Sequence, residues 1–351
     1  MQMKEGEVAN FWMTRHPVVD ALCARRNRIG VSGSAVHDGL RIGLAVEGGG
    51  MRGIVSAAML AAIEDRGFAE CFDGIYGFSA GAVNAAYFLA GNYRARLPVY
   101  YHDLPASSLF DFRRLVRGKS FLDIDALFDK FISLKRPLDY DAIENSRAEL
   151  HIGITDVDAL RTEDVSKFHS RADLIESLRA SSWMPISSFH TALWRGKRAM
   201  DGSVLTGHPT RLAILDGCSH VLSLSTRPIR PVGFHGSRVA QFLGALHLER
   251  MKRRLGFLYY QAADEYWLDR SAMHGERLDP TSFPQILDLA PLPYMLQLSY
   301  HELDSGRLIR AAAEAYEIAY AVLDHGAPGS PGRSSRASGM GVPRSAADAQ
   351  P

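Results

Sequence analysis

The pattern of apolar and polar positions predicts two consecutive strand–helix units between residues 40 and 90. An apolar run at Leu40–Val46 predicts a buried strand that leads directly into Glu47 and three glycines. A helix follows, since apolar residues then recur at helical spacing before Gly67: Ile54, Val55, Ala58, Met59, Ala62 and Ile63. A short strand at Gly74–Tyr76 and a helix through about Ala90 come next. Strands that alternate with helices through short connections predict an α/β fold with a parallel sheet covered by helices.

The rest of the chain is less regular. Further strands are predicted at Leu150–Val157 and His220–Leu224, and helices at Phe11–Arg26, Asp173–Ser181, 239–270 and Asp304–Leu323. Glycines and serines at 30–39 are expected to end the first of these helices. Residues 92–148 are interpreted as a cap or insertion over a site, with many aromatic residues and a basic run: Arg113, Arg114, Arg117 and Lys119.

Composition and charge exclude several classes of protein. The 351 residues are 46% hydrophobic and 23% charged, with a formal net charge of +1, which argues against a disordered chain and against a protein that coats nucleic acid. Cys23, Cys71 and Cys218 are too far apart for a disulfide framework or a paired metal motif. The N-terminus lacks the apolar segment of a secretory signal, and the uncharged stretch at Gly74–Tyr93 fits the second strand–helix unit better than a membrane span. We therefore expect a cytoplasmic protein.

A glycine-rich segment between the first strand and its helix suits a negatively charged group. It consists of Gly48, Gly49, Gly50, Met51, Arg52 and Gly53. Its glycines let backbone N–H groups face a ligand at the start of a helix. The same spacing fits the dinucleotide-binding fingerprint, which also needs an acidic residue at the end of the second strand. This chain has Gly77–Gly81 there, so NAD or FAD binding is disfavoured.

Residues Gly77, Phe78, Ser79, Ala80 and Gly81 form a G-x-S-x-G motif between the second strand and its helix. A serine nucleophile on such a sharp turn needs small neighbours, which the two glycines and the alanine supply. The start of the helix also favours the negative charge that develops during acyl transfer. A glycine-rich turn that contains a serine without a catalytic role would have the same sequence motif. The neighbouring anion-binding loop favours a nucleophilic role for Ser79.

A serine nucleophile needs a base, and the residues leave two arrangements open. In the first, His208 or His220 acts with Asp201 in a triad of the α/β-hydrolase type. In the second, Asp201 bonds directly to Ser79, which requires burial to raise the basicity of its carboxylate. Both arrangements use Asp201, which begins a predicted turn with Gly202 and Ser203.

Four motifs in this order make the chain resemble the patatin-like phospholipases. The family pattern is G-G-G-x-R-G, then G-x-S-x-G, then A-S-x-x-x-P, then D-G-[GA]. The chain matches it at Gly48–Gly53, Gly77–Gly81, Ala180–Pro185 and Asp201–Ser203, within about residues 40–228. Ser203 departs from the glycine or alanine usual in the last motif. The helical C-terminal part resembles a bacterial subgroup with an extra helical region.

The resemblance implies a three-layer core, with a mainly parallel sheet between helices and a helical C-terminal addition. It also implies a Ser79–Asp201 dyad without a catalytic histidine, an oxyanion hole of backbone N–H groups in the loop Gly48–Gly53, and Arg52 as a support of that loop. The expected organisation is an N-terminal extension at 1–39, a catalytic domain at 40–230, a helical region at 231–325 and a disordered tail at 326–351. The tail is rich in Gly, Ala, Ser and Pro and has little to bury.

The resulting hypothesis is a serine acyl hydrolase that cleaves lipid esters, of the phospholipase A or lysophospholipase type, without a metal or cofactor. Its partner would be a lipid or another acyl ester, with no nucleic acid, and the oligomeric state stays open. An esterase or thioesterase with a Ser-His-Asp triad and a catalytically silent lipid-binding protein are the alternatives. The helix at 239–270 fits either transient contact with a membrane surface or a packed helix with a solvated face, and the second is favoured.

Overall fold

The computed structural model describes residues 16–32, 38–91, 93–106, 109, 111, 122–184, 190–228, 230, 238–276 and 283–325. The predicted tail at 326–351, the basic run at 113–119 and Pro185 of the third motif lie outside these residues.

A sheet of eight strands forms the centre of the described structure. The strands are β1 (Ile42–Val46), β2 (Gly74–Gly77), β3 (Glu149–Asp156), β4 (Arg161–Val165), β5 (Ala192–Trp194), β6 (Lys197–Asp201), β7 (His220–Leu224) and β8 (Gln285–Leu289). Their spatial order is β5-β6-β3-β2-β1-β7-β8, and β4 pairs with β3. The neighbours β3, β2, β1, β7 and β8 run parallel to one another. β4 and β6 are antiparallel to β3, and β5 is antiparallel to β6. The carboxyl ends of β1 and β2 therefore meet at one edge of the sheet, where the two glycine motifs follow them.

Helices cover this sheet. They are α1 (Pro17–Ser32), α2 (Ile54–Asp65), α3 (Ala80–Leu89), α4 (Tyr140–Glu144), α5 (Arg171–Ser181), α6 (Thr210–Leu215), α7 (Arg238–Met251), α8 (Leu255–Glu276) and α9 (Ser305–His325). The region predicted as a cap contains π-helical turns at Val99–Asp103 and Leu127–Lys135. β1 and β2 are buried at every position, as expected for parallel strands covered on both faces. The predicted α/β fold is confirmed.

One expectation about helices was wrong. The predicted helix at 239–270 is divided into α7 and α8, because Arg254 adopts a left-handed backbone with φ of 74°. The Glu249 carboxylate stabilises this break by accepting hydrogen bonds from the N–H groups of Arg254 and Gly256, at 2.8 and 3.2 Å. α1, by contrast, continues through Gly30 and ends at Ser32, within the segment 30–39 where glycines and serines are expected to end it. The buried part of α1 supports it, since Arg25 is fully buried there and pairs with acidic groups outside the helix.

The C-terminal part of the chain shares its core with the part that carries the glycine motifs. β8 extends the sheet in parallel with β7, so the expected boundary at residue 230 falls between two neighbouring strands. α9 packs along α2, and its buried side chains, which include Leu308 and Leu323, belong to the main hydrophobic cluster. α1 likewise contacts β7 and β8. The residues after 283 therefore help to position the edge of the sheet where the motifs lie.

Candidate active site

Ser79 occupies a strained turn at the carboxyl end of β2, directly before α3. Its backbone has φ of 54° and ψ of −135°, a conformation that is costly for any residue except glycine. The Ser79 N–H holds this turn by donating to both the carbonyl and the hydroxyl oxygen of Ser181, each at 3.1 Å. A Cβ atom on Gly81 would lie 2.1 Å from the carbonyl oxygen of Val46, so the motif requires glycine there. This strand–turn–helix context is the one that G-x-S-x-G predicts for a nucleophile.

Phe78 and Gly77 join the serine turn to its surroundings. The Phe78 ring is buried and lies so close to Gly153 and Gly202 that Cβ atoms there would be 2.0 and 2.8 Å from ring carbons. A Cβ on Gly77 would be 2.7 Å from the N atom of Ala82 in α3. The serine motif and the turn that contains Gly202 are therefore packed directly against each other.

The glycine loop offers few N–H groups that are not already used. The Met51 N–H donates to the Tyr300 carbonyl at 2.9 Å, and the Arg52 N–H donates to the Gly49 carbonyl at 3.2 Å. Gly49 and Gly50 have φ of 133° and 59°, which glycine adopts without strain. Among the described residues, the N–H groups of Gly49 and Gly50 meet no acceptor.

A second candidate donor is the N–H group of Ala80, the residue after the serine. It too meets no acceptor in the described part of the chain, because the first turn of α3 has no preceding carbonyl for it. Ala80 and Gly50 both line the cavity beside Ser79, whereas Gly48 and Gly53 pack against the serine turn and α3. From the sequence, Ala80 was noted only as a small neighbour of Ser79. In G-x-S-x-G turns the N–H group of the residue after the serine serves as an oxyanion donor, and this rule could have identified Ala80 as a candidate donor.

Asp201 ends β6 and is completely buried. Its Oδ1 atom accepts a hydrogen bond from the Ser203 N–H at 2.9 Å, so serine at this position is compatible with the turn. Its Oδ2 atom is buried and has no partner of ordinary hydrogen-bond geometry among the described residues. Burial raises the pKa of Asp201 to about 6, although Ser203 and the Ser79 hydroxyl act to lower it. The carboxylate thus lies beside Ser79 with one uncommitted oxygen.

The two candidate histidines are engaged elsewhere. His208 is fully buried, and its ring nitrogens lie 3.0 Å from the Thr210 hydroxyl and 3.2 Å from the Ser225 hydroxyl. His220 begins β7 and pairs in register with Ile42 at the first residue of β1. It therefore lies at the opposite end of the sheet from the glycine motifs, about 13 Å away along the strands. The structure brings neither histidine to Ser79 or Asp201.

A buried polar network holds the glycine loop from behind. The Glu47 carboxylate accepts hydrogen bonds from the Thr226 N–H at 2.5 Å and from the Tyr266 hydroxyl at 2.9 Å. The Thr226 hydroxyl donates to the Gly48 carbonyl at 2.8 Å and accepts from Arg52 Nε at 3.2 Å. Burial opposes the ionisation of Glu47, but the positive charges around it outweigh burial and lower its pKa to about 2. Glu47 is therefore an anion in the interior.

The same network continues to α8 and β8. Arg270 Nη1 donates to the Tyr266 hydroxyl at 2.9 Å, and Arg270 Nε lies 2.9 Å from Asp288 Oδ2. Asp288 also accepts a hydrogen bond from the Ser225 hydroxyl at 2.6 Å. Sequence reasoning missed these residues. An acidic residue at the end of an apolar strand was a signal for Glu47, but Tyr266 lies 219 positions away and leaves no local pattern.

A cavity of about 110 Å³ lies beside Ser79. Most of its lining is apolar and comes from α3 and from the region predicted as a cap: Val83, Leu97, Val99, Tyr100, Leu104, Leu122, Ile124, Leu127 and Ile132. Tyr100 is fixed by donating from its hydroxyl to Asn84 Oδ1 at 2.9 Å, and Asn84 Nδ2 donates to the Gly53 carbonyl at 3.0 Å. The cavity can therefore take an apolar chain while a polar group remains at Ser79.

Two further observations concern the described residues alone. Nowhere in them do three or more His, Cys, Asp or Glu side chains come together in a way that could hold a metal ion. None of the helices within them is both long enough and apolar enough to cross a membrane.

Comparisons with known proteins agree with this architecture. The family model "Patatin-like phospholipase" matches residues 44–214, which include the glycine loop, Ser79 and Asp201. The uncharacterized protein YjjU of Escherichia coli (strain K12) is similar, with 27% identity over 194 residues. That alignment covers 54% of this chain and 52% of YjjU, so the chain spans about half the length of this relative. Residues 44–214, which carry the glycine loop, the serine turn and Asp201, therefore match the patatin-like phospholipases, a family of lipid acyl hydrolases.

Proposed function

We propose that this protein is a serine acyl hydrolase that cleaves ester bonds of phospholipids or lysophospholipids through a Ser79–Asp201 dyad. The observation that carries the proposal is the pairing of a strained serine with a buried carboxylate that has one uncommitted oxygen. An apolar cavity begins at the same serine. A buried carboxyl group with a pKa of about 6 is a better base than a solvated one and is still ionised at neutral pH.

Acylation follows from this arrangement. The Ser79 hydroxyl oxygen attacks the ester carbonyl carbon while its proton passes to Asp201 Oδ2. The carbonyl oxygen becomes negatively charged and accepts hydrogen bonds from the N–H groups of Gly50 and Ala80, with Gly49 adjacent, at the positive end of α3. When the tetrahedral intermediate collapses, the bond to the alcohol breaks, the alcohol takes the proton from Asp201, and the acyl group remains on Ser79.

Deacylation uses the same groups with water as the nucleophile. Asp201 accepts a proton from the water as its oxygen attacks the acyl carbon, and the same N–H groups stabilise the oxyanion. The bond to Ser79 Oγ then breaks, and Oγ regains the proton from Asp201. The products are a carboxylic acid, which is a fatty acid for a lipid substrate, and the alcohol released earlier.

The cavity supports a lipid as the acyl donor. Its lining from α3 and the cap region is almost entirely apolar, which suits a hydrocarbon chain better than a polar acyl group. In this proposal the chain of the substrate occupies the cavity and the ester lies at its Ser79 end. Contact with a lipid surface is part of the proposal, because phospholipid substrates are presented there.

Labelling by a fluorophosphonate probe tests the dyad without assuming a substrate. We expect the wild type to be labelled covalently, Ser79→Ala to show no labelling, and Asp201→Asn to be labelled at least about 1,000-fold more slowly. His220→Ala serves as the matched control and should react like the wild type, since His220 lies at the other end of the sheet. Wild-type labelling rates in Asp201→Asn, or loss of labelling in His220→Ala, would overturn the dyad.

Mass spectrometry of products tests the substrate class. Wild-type protein incubated with a mixture of phospholipids, lysophospholipids, triacylglycerols and acyl thioesters should release fatty acid from the first two classes, and Ser79→Ala should release none. Release from thioesters alone would favour the thioesterase alternative. Covalent labelling without turnover of any lipid would favour a protein that has lost its hydrolytic role.

A further inference from the structure

α7 presents an apolar surface to solvent. Val239, Phe242, Leu243 and Leu246 are 72%, 61%, 60% and 41% exposed, although they are among the larger apolar residues of the chain. Their spacing of i, i+3, i+4 and i+7 places them in one stripe along the helix. The opposite side of α7 is anchored, because Leu248 is fully buried in a cluster with Val157, Met200, Val204 and Leu255. The stripe is therefore a surface that the fold holds outward.

Positive charges flank the stripe at both ends. Arg238 begins α7, and Arg250 continues the line of the apolar side chains one turn beyond Leu246. Arg253 and Arg254 follow in the exposed turn before α8. The guanidinium groups of these four arginines form no ion pair within the described part of the chain, although the Glu249 carboxylate accepts a hydrogen bond from the backbone N–H of Arg254 at 2.8 Å. The neighbouring Lys252, by contrast, pairs with Asp158 at 3.7 Å.

We propose that the stripe Val239–Leu246, with its flanking arginines, docks this protein onto the surface of an anionic phospholipid bilayer. An exposed apolar stripe that ends in unpaired cations fits an interface in which acyl chains lie beneath negatively charged headgroups. The charges favour a bilayer over a second copy of the chain as the partner of this surface. A second copy would bring further arginines to the same face, whereas anionic headgroups neutralise the charge of the arginines. The inference rests on the proposed function insofar as it gives that hydrolase access to substrates in a bilayer.

α7, which carries the stripe, contacts the strand that ends at Asp201. Arg198 in β6 donates from Nη1 to the Met251 carbonyl at the end of α7, at 3.4 Å. β6 ends at Asp201 three residues later, and Met200 of β6 belongs to the cluster that holds Leu248. Docking through α7 would therefore fix the orientation of the strand that carries Asp201 relative to the lipid surface.

Vesicle flotation tests the proposal independently of catalysis. The full chain with Ser79→Ala is mixed with vesicles of phosphatidylcholine alone or with 30% phosphatidylglycerol, so that no lipid is consumed. We expect binding to the anionic vesicles, and a loss of at least about tenfold in the partition coefficient when Phe242→Ser and Leu243→Ser are combined. Leu193→Ser with Leu215→Ser is the matched control, since these leucines are 73% and 83% exposed but lie elsewhere. The control should bind like its parent.

Insertion and charge are measured separately. Phe242→Trp should show a blue shift in its emission with anionic vesicles and quenching by brominated acyl chains. Changing Arg250, Arg253 and Arg254 to glutamine should remove the preference for phosphatidylglycerol. Unchanged binding in the double serine variant would overturn the proposal. So would a concentration-dependent dimer in sedimentation that the double serine variant abolishes, because the stripe would then be an interface between copies.

The proposed function and the docking surface can fail separately. The double serine variant with Ser79 intact should react with a soluble fluorophosphonate at the wild-type rate, since Phe242 and Leu243 are exposed and do not line the cavity beside Ser79. Loss of vesicle binding with normal labelling supports the docking surface. Vesicle binding through α7 in a protein that fluorophosphonate never labels would refute the hydrolase and leave the docking surface in place.

Discussion

Replacing Asp201 by asparagine should abolish the proposed chemistry and at the same time stabilise the fold at neutral pH. The pKa of Asp201 is raised by burial from 3.8 to about 6. This difference corresponds to about 3 kcal/mol of unfavourable free energy for holding the ionised side chain in the folded protein. Asparagine keeps the oxygen that accepts from the Ser203 N–H and removes the charge. We expect its free energy of unfolding at pH 8 to exceed that of the wild type by about 1–3 kcal/mol.

The gain in free energy of unfolding from Asp201→Asn must increase as the pH rises. Between pH 3.8 and about 6 the folded protein retains a proton on Asp201 that the unfolded chain releases. This group therefore destabilises the wild type progressively as the pH rises through that window, and its effect is complete above about pH 7. The difference between Asp201→Asn and the wild type should be small at pH 4, increase through pH 6 and level off above pH 7.

Urea unfolding of both proteins at pH 4.5, 6 and 8 measures this difference. Asp158→Asn is the control, because Asp158 is half exposed and a hydrogen bond from Arg198 lowers the pKa of its carboxyl group. It should give no gain at any of the three values. The reasoning is refuted if Asp201→Asn is less stable than the wild type at pH 8, or if its gain is the same at pH 4.5 and pH 8.

Three further outcomes are expected. Fluorophosphonate labelling of Ser79 should accelerate about tenfold between pH 5 and pH 7 as Asp201 ionises, and a flat profile of rate against pH would contradict its role as the base. Gly81→Ala places a Cβ 2.1 Å from the Val46 carbonyl oxygen and should lower the free energy of unfolding by at least about 3 kcal/mol. A Cβ at Gly30 in α1 meets no atom within 4 Å, so Gly30→Ala should raise the free energy of unfolding by about 0.5–1 kcal/mol. Equal effects of the two substitutions in thermal unfolding would contradict this packing. Glu47→Gln should lower kcat about 100-fold with little change in KM, because the glycine loop loses its anchor while the cavity is intact; steady-state kinetics that show only a higher KM would assign Glu47 to substrate binding.

The sequence predicted the motif-bearing half of the sheet because its signals are local. β1, the glycine loop, α2, β2 and the serine turn follow each other within about forty residues, and each has its own pattern of apolar residues or glycines. Gly81 illustrates the reason: its neighbours in space, Val46 and Gly48, are also near in the sequence. Asp201 was a candidate in both arrangements considered from the residues, and the resemblance to the family favoured it as the direct partner of Ser79.

The strands and contacts that were not predicted depend on distant partners. β8 contains Gln285 and Asp288, which a pattern of burial would assign to the surface. Asp288 is buried because Arg270 and hydroxyl groups of the β7 region satisfy its carboxylate. Likewise, the break between α7 and α8 arises from a bond between Glu249 and the following turn, in a segment whose composition is helical throughout.

The Tyr300 carbonyl, which accepts the Met51 N–H at 2.9 Å, has a consequence for how the protein is made. A ribosome synthesises the glycine loop, Ser79 and Asp201 long before it reaches this anchor, so a chain that ends before residue 300 lacks the acceptor that holds the loop. In a chain that ends before Gln285, β7 also has no β8 beside it. The glycine loop beside Ser79 therefore acquires its full support only after nearly all of the described residues have been translated and have folded together.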